Sequence, residues 1–573
     1  MIFHGLPISS GVALAPAYLY EQVNIQVPRD PITQDQVDAE LARYASSREA
    51  AAEQLQKIHD SLVEDAPDKA AIFQAHMEIL QDVAMIEEIE DLISQLNTNA
   101  ANAVDTVYTQ YADLISALDD PMMRERSADL MDVRTRLLCC LLNIRRTTLA
   151  EIVEPSVLIA HELMPSDTAT MDPNMVCGIV TEEGGTTSHS AILARSLGIP
   201  AVSGLPGVLQ QIKNGQMVAI HAADGLVESE PDAAAMQHYQ KLLDQFRQEQ
   251  ALNETYLPLE PVTLTGEHIH VCLNIGSDQD PAMAYADVSD GVGLFRSEFL
   301  YMQSNTLPDE ETQVRAYSRV AKQFGEKQVI IRTLDVGGDK QIAALPMEAE
   351  ANPFLGNRAL RLCFDRPALF RTQLRAILRA AVHGNLAIMF PMVGSMDDLH
   401  RAKQALEEAK ASLAAEEIPF RSDIAVGVMI EIPSIAIMAK QVSAEVDFAS
   451  IGTNDLCQYL LAADRMNPQV ASYYQSYHPA LFRLIAHVQE CFAAAGKTVS
   501  VCGEMGADPL AVLAFMSFGM KKFSMSSGAV ASIKRLVRTV TETQLQKANE
   551  VVFRCAAAQE METELRAILE TIQ

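Results

Sequence analysis

His189 sits in the run Gly184-Gly185-Thr186-Thr187-Ser188-His189-Ser190, and the helix-like stretch SAILARSLG begins directly after it. Glycines and hydroxyl residues leading into a helix predict exposed backbone N–H groups and the positive end of a helix dipole beside the imidazole. That setting favours an anionic group on the ring. It also disfavours imidazolium, which leaves a neutral ring nitrogen free to act as a nucleophile.

A second set of reactive groups lies in the other half of the chain. Glu431 in VMIEIPS and Asp455 in IGTNDL each close an apolar, strand-like run. Two carboxylates on neighbouring strand ends can hold one hard divalent cation of the Mg2+ type, and can equally serve as acid and base in a hydrolase. Around them come Arg296, Arg332, Arg358 and Arg465, three of them immediately after apolar runs or in Gly/Pro-rich loops. Guanidinium groups grip phosphate and carboxylate bidentately, and arginine beside a divalent cation is the usual arrangement for stabilising a transferring phosphoryl group. Cys502 comes straight after the strand-like run that holds the apolar pair Val499 and Val501. A thiol there can exchange a proton at carbon or act as an acyl nucleophile. Gly496-Lys497-Thr498 resembles the end of a phosphate-binding loop, but Cys491 stands where its first glycine belongs, and Gly291 and Gly293 lack the third glycine of a dinucleotide fingerprint.

These residues need elements to hold them. With 573 residues the chain has room for three or four domains, and 49% hydrophobic with 21% charged residues suits packed cores rather than disorder. Against 75 acidic residues stand 44 Lys and Arg, a net charge of -31 that repels nucleic acid and anionic membranes. An anionic substrate must therefore meet a local basic cluster. The nine cysteines show no C-x-x-C pair, which argues against a disulfide framework or a zinc ribbon and for a reducing cytoplasm. No leader or membrane-spanning run is expected.

The first twenty residues read as strands, and from 33 to 146 the periodicity is helical. Four helices are expected, over about 34–64, 67–97, 99–119 and 121–146. SVLIA, CGIVT, PAVSG, MVAIHA and LVESE then form an α/β unit, and a Gln-rich helix links it to the rest. Because the opening strands need partners, the economical topology inserts the helical block into the α/β unit. From 262 onward eight strand-like runs alternate with helices: HIHVCLNI, GVGLFRSE, QVIIRTLDV, LAIMFPMV, IAVGVMIEI, DFASIGTND, VSVCGEM and KKFSMSS. Several are continuously apolar, as parallel strands covered on both faces are, and eight such units predict a (β/α)8 barrel with its site on the C-terminal rim. The expected segments are residues 1–30 with 147–230, 31–146, 231–261 and 262–573.

GGTTSHSAILAR, IEIPS, IGTNDLCQYLLAADR and VCGEMGAD, in this order, resemble the signatures of the enzyme I family of the bacterial phosphoenolpyruvate-dependent sugar phosphotransferase system, and the likeness covers essentially the whole chain. The resemblance implies a swivelling phosphohistidine domain with an inserted helical bundle, a linker helix and a TIM barrel. It implies that His189 carries the phosphoryl group and that Glu431 and Asp455 ligate Mg2+. Arg296, Arg332, Arg358, Asn454, Asp455 and Arg465 would bind phosphoenolpyruvate, and Cys502 would protonate the enolate. It also implies a histidine-containing phosphocarrier protein docking on the helical segment, where His76, Glu78, Asp82, Glu87 and Glu88 are the expected contacts, and a homodimer. Pyruvate-phosphate dikinases and phosphoenolpyruvate synthases share these motifs but need an ATP-binding domain for which the chain has no room. Thr186 stands where the family commonly has arginine, with Arg195 or Arg126 as substitutes, Asn357 replaces an aromatic in NPFLGNR, and Cys457 replaces a threonine. These departures keep a second reading open, a paralogous phosphohistidine signalling protein with a regulatory role.

Overall fold

A computed structural model describes residues 1–9, 11–20, 25–63, 67–116, 121–144, 148–184, 189–302, 306–338, 342, 344–345, 347–348 and 350–572. The chain divides into two compact units, residues 1–250 and 251–573.

In the first unit, β1 (Ile2–His4), β2 (Leu6–Ser9) and β3 (Val12–Tyr20) precede the helical block, while β4 (Ser156–Ala160), β5 (Val176–Thr181), β6 (Ala201–Ser203), β7 (Met217–His221) and β8 (Leu226–Ser229) follow it. They form one sheet in the order β1-β8-β7-β3-β4-β5-β6-β2. β3 pairs in parallel with β4 and antiparallel with β7, so the opening strands find their partners across the helical insertion. β4 is buried at every position, as its unbroken apolar run predicts.

The insertion holds α1 (Val37–Leu62), α2 (Pro67–Leu80), α3 (Val83–Leu96), α4 (Ala100–Ser116) and α5 (Pro121–Leu142). Buried Tyr44, Ser47, Ala51 and Leu55 on α1, and Met85, Ile89 and Ile93 on α3, recur at three- and four-residue spacing. The single helix expected over 67–97 is two. Asp82 has an extended backbone (φ -61°, ψ 118°), and its side chain accepts from the Met85 N–H, so it caps a new helix instead of continuing the old one. In the sheet part follow α6 (Pro165–Ala169), α7 (His189–Leu197) and α8 (Val208–Gln211), then the long α9 (Ala233–Tyr256), whose Tyr239 and Leu243 pack on Val12 and Ala219.

In the second unit, β9 (His270–Ile275), β10 (Gly291–Arg296), β11 (Gln328–Arg332), β12 (Leu386–Phe390), β13 (Ala425–Ile430), β14 (Phe448–Ile451), β15 (Thr498–Val501) and β16 (Lys522–Met525) close into a barrel. Every neighbouring pair is parallel, including the closing β16–β9 pair. All eight expected runs are strands. The interior is filled by Leu294, Ile330, Met389, Met429, Phe448 and Cys502, so the barrel is packed and only its ends can host chemistry. Among the described residues no helix is long and apolar enough to cross a membrane.

Candidate active site

The site lies where β10, β11, β13, β14 and β15 end. Arg332 is the last residue of β11, and a chain of buried hydrogen bonds holds its backbone. Its carbonyl accepts from Ser297 Oγ at 2.7 Å, and Ser297 Oγ accepts from Gln373 Nε2 at 2.9 Å. Gln373 Oε1 in turn accepts from the Leu334 N–H at 2.8 Å. A side-chain amide from the helix Pro367–Ala380 thus locks both sides of the strand end.

Two buried arginines share one carboxylate. Asp335 Oδ2 is 2.9 Å from Arg332 Nη1, and Asp335 Oδ1 is 2.9 Å from Arg358 Nη2. Glu298 takes the other end of the Arg332 guanidinium. Arg358 Nη1 reaches Tyr459 Oη at 3.2 Å and stands 3.6 Å from Asp455 Oδ1, which Arg465 Nη1 approaches from another direction at 3.5 Å. The Phe354 ring lies under both Arg358 and Arg465. Burial opposes the charge on Arg332 and Arg358, but the facing carboxylates more than offset it, and both guanidinium groups are held charged.

Glu431 follows β13. Its Oε1 accepts the Met392 N–H at 2.6 Å, and Met392 holds a left-handed backbone (φ 52°) that aims this N–H at the carboxylate. Burial, then Asp455 and Asp335, push the Glu431 carboxyl upward. Glu431 Oε2 and Asp455 Oδ1 are buried acceptors that receive no hydrogen bond among the described residues, Asp455 Oδ1 having only the two guanidinium groups at 3.5 and 3.6 Å. Two such oxygens in a nest of carboxylates want a hard cation, so this pair fits Mg2+.

Cys502 directly follows β15 and is buried, its thiol donating toward the Ile451 carbonyl at 3.5 Å. Burial drives its pKa up to about 11, while Arg332 and Arg296 work in the opposite direction. Arg296 ends β10, half-buried, and makes no side-chain hydrogen bond or ion pair among the described residues, which leaves a guanidinium available to a ligand. Asn454 Oδ1 accepts from the Glu504 N–H at 3.4 Å and lies beside Asp455 on the same helix. Of the seven residues expected on the barrel rim besides Cys502, Arg296, Arg332 and Glu431 lie at or next to strand ends, Asn454 and Asp455 open the helix after β14, and Arg358 and Arg465 reach Asp455 from segments farther along the chain.

Residues 250–542 match the PEP-binding domain of PEP-utilising enzymes, 4–126 their N-terminal domain and 152–225 their mobile domain. Over 559 residues the chain is 40% identical to the phosphoenolpyruvate-protein phosphotransferase of Bacillus sp. (strain S), covering 97% of this chain and 96% of the relative. The chain belongs to the phosphoenolpyruvate-protein phosphotransferase family. The Geobacillus stearothermophilus phosphotransferase is 41% identical with the same coverage, and that of Staphylococcus carnosus (strain TM300) 39% identical over 97% of each chain.

His189 opens α7, at the helix N-terminus its flanking residues predict. Its side chain and residues 185–188, Thr186 among them, lie outside the described residues. The two arginines offered as substitutes for a charge at Thr186, Arg126 and Arg195, are exposed. Of the expected carrier contacts, Glu78, Asp82 and Glu87 are exposed and Glu88 half-buried, but His76 is not a surface residue. It is buried between Asp129 (3.2 Å) and Asp132 (3.5 Å), because its position on α2 faces α5. Asn357 is exposed and donates to Asp365 Oδ2 at 2.7 Å, which accounts for a polar residue there. Cys457 is buried with its thiol toward the Gln475 carbonyl.

Asp335, Glu298, Gln373, Tyr459 and Phe354 were not expected from the sequence. The signal for Asp335 is its place three residues after Arg332 on a barrel rim, and Tyr459 lies one helical turn beyond Asp455.

Proposed function

We propose that this chain transfers the phosphoryl group of phosphoenolpyruvate to its own His189 and passes it on to a histidine-containing phosphocarrier protein, releasing pyruvate. The observation that carries this reading is the single rim at which Arg332, Arg358, Arg465, Glu431, Asp455 and Cys502 converge. Identity across nearly the whole chain to phosphotransferases favours this over a regulatory paralogue.

Arg296, Arg332, Arg358 and Arg465, with Asn454, bind the phosphate and carboxylate of the substrate. Fixed by Asp335, Glu298 and the Phe354 ring, Arg332, Arg358 and Arg465 need little reorganisation when charge develops. Glu431 and Asp455 would hold Mg2+, which supplies positive charge against the phosphoryl oxygens and the developing enolate. His189 attacks phosphorus through a ring nitrogen, the phosphorus–oxygen bond to the leaving group breaks, and its electron pair goes to the enolate. Cys502 is a neutral thiol at physiological pH, and it gives its proton to the enolate carbon to leave pyruvate. The thiolate left behind faces Arg332 and Arg296.

His189 is in one unit and the rim in the other, so one unit must deliver its imidazole to the other's substrate. On this reading residues 1–30 with 147–230 carry the histidine, 31–146 dock the carrier protein, 231–261 link, and 262–573 bind phosphoenolpyruvate. The setting is cytoplasmic and the working form a homodimer. The test is incubation of the full chain with phosphorus-labelled phosphoenolpyruvate and Mg2+, followed by phosphosite mapping. Label is expected on His189 and passes to added carrier. Undiminished carrier-driven pyruvate release by His189→Ala would overturn the reading.

A further inference from the structure

His268 and His270 are two apart in the sequence and flank the start of β9, so they point to the same side of an extended segment. Asp290 immediately precedes β10, the neighbouring parallel strand. One ligand atom from each of the three lies within 4.8 Å of the others. The barrel strands are parallel, so this cluster is at the end of the barrel opposite the rim that carries Glu431 and Asp455.

The donors are positioned beforehand. Asp290 is clamped to β9 in both directions: its N–H donates to the Val271 carbonyl at 2.9 Å, and its Oδ2 accepts from the Val271 N–H at 2.8 Å. The other oxygen, Oδ1, stands 3.0 Å from His268 Nε2. On the far side of that ring, His268 Nδ1 is 4.0 Å from Glu260 Oε2, a long-range ion-pair distance. The His270 ring sits 4.9 Å from the His268 ring, edge to face, and the residue is solvent-exposed.

From this we propose that His268, His270 and Asp290 form a binding site for a borderline divalent transition metal ion of the Zn2+ class, separate from the Mg2+ site. Two imidazoles and one carboxylate leave a fourth position for water and match the preference of Zn2+ for nitrogen with oxygen, whereas Mg2+ prefers oxygen alone. Zinc ligands stand about 2.0–2.2 Å from the ion, so neighbouring donors in a tetrahedral site are a little over 3 Å apart. The His268–Asp290 pair already has this spacing, and a ring nitrogen of His270 lies within 4.8 Å of both partners' ligand atoms. Positive groups nearby are engaged elsewhere: Lys522 Nζ donates to Gln328 Oε1, Lys534 Nζ to the Leu257 carbonyl, and Lys521 pairs with Glu267.

The test is Zn2+ titration of the metal-stripped full chain under saturating Mg2+, read by competition with a chromophoric chelator and by thermal unfolding. The wild type is expected to take up one Zn2+ that Mg2+ does not displace and to unfold at a higher temperature with it. His270→Ala, an exposed substitution, should weaken that uptake by more than the roughly 10- to 100-fold typical for loss of an outer-shell partner. It should also abolish the thermal shift and leave Mg2+-dependent phosphotransfer unchanged. His268→Ala should weaken uptake in the same way. Equal Zn2+ uptake by wild type, His268→Ala and His270→Ala would overturn the proposal, as would a wild type that takes up none.

Discussion

Gly452 and Glu431 approach so closely that no side chain fits between them: a Cβ on Gly452 would stand 2.9 Å from Glu431 Oε2 and 3.2 Å from Glu431 Cβ. The backbone of Gly452 (φ -83°, ψ 82°) asks for no glycine, so the constraint is space alone. Gly452→Ala should leave the barrel folded but push the Glu431 carboxylate aside. Displacing a catalytic group by about 1 Å can cost on the order of 100-fold, and phosphorylation of His189 should fall by about that much. Comparing phosphotransfer with the strand amides' hydrogen-exchange protection checks it, since a loss of both together would mean misfolding instead.

Asp335 is the hinge pin of the arginine cluster, bonded at once to Arg332 and Arg358 with all three buried. Removing one partner of a buried ion pair typically costs about 3–5 kcal/mol, because the remaining charge is left uncompensated. Asp335→Ala should destabilise the barrel by about that amount. It should also lower the affinity for phosphoenolpyruvate, since both guanidinium groups lose their orientation. Denaturant unfolding and direct ligand titration measure the two effects separately.

Cys502 offers a sharper separation of binding from chemistry. Burial holds its thiol up to about 11, so it stays protonated through the neutral and mildly alkaline range. A proton donor at a reacting carbon contributes about 100- to 10,000-fold, and Cys502→Ala should slow pyruvate formation within that range while changing phosphoenolpyruvate affinity little. Solvent-exchange of hydrogen at the pyruvate methyl, followed by NMR, would show whether proton delivery is the lost step.

The barrel is legible in the sequence because each strand is a short apolar run buried on both faces, and the groups placed at the ends of those runs, Arg332, Glu431 and Asp455, inherit the rim from the topology. Glu298 and Gln373 are not legible. Each lies on a helix after or outside its strand, and only the closed barrel brings Gln373 within reach of Ser297, 76 positions away. The division of 67–97 into α2 and α3 is hidden for another reason. Apolar spacing continues through residue 86, and only the capping geometry of Asp82 marks the break. His76 shows the converse failure, since it reads as surface beside Glu78 and Asp82 until α5 supplies Asp129 and Asp132 to bury it.

Glu431 makes the site sensitive to pH. Burial first, then Asp455 and Asp335, raise its carboxyl to about 8, against an ordinary value of about 4.3. Without Mg2+ the folded chain keeps a proton there that the unfolded chain releases in the ordinary carboxylate range. Because the folded pKa is raised, the stability contributed by this group is complete below about pH 4 and is lost as pH rises through about 8. Mg2+ competes with the same proton, so its binding should tighten as pH climbs toward about 8 and level off above. At neutral pH each Mg2+ bound should release about one proton, measurable by titration calorimetry in buffers of different ionisation heat. A release of zero protons, with Mg2+ affinity unchanged across the neutral range, would show that the Glu431 carboxyl is already ionised before the ion arrives.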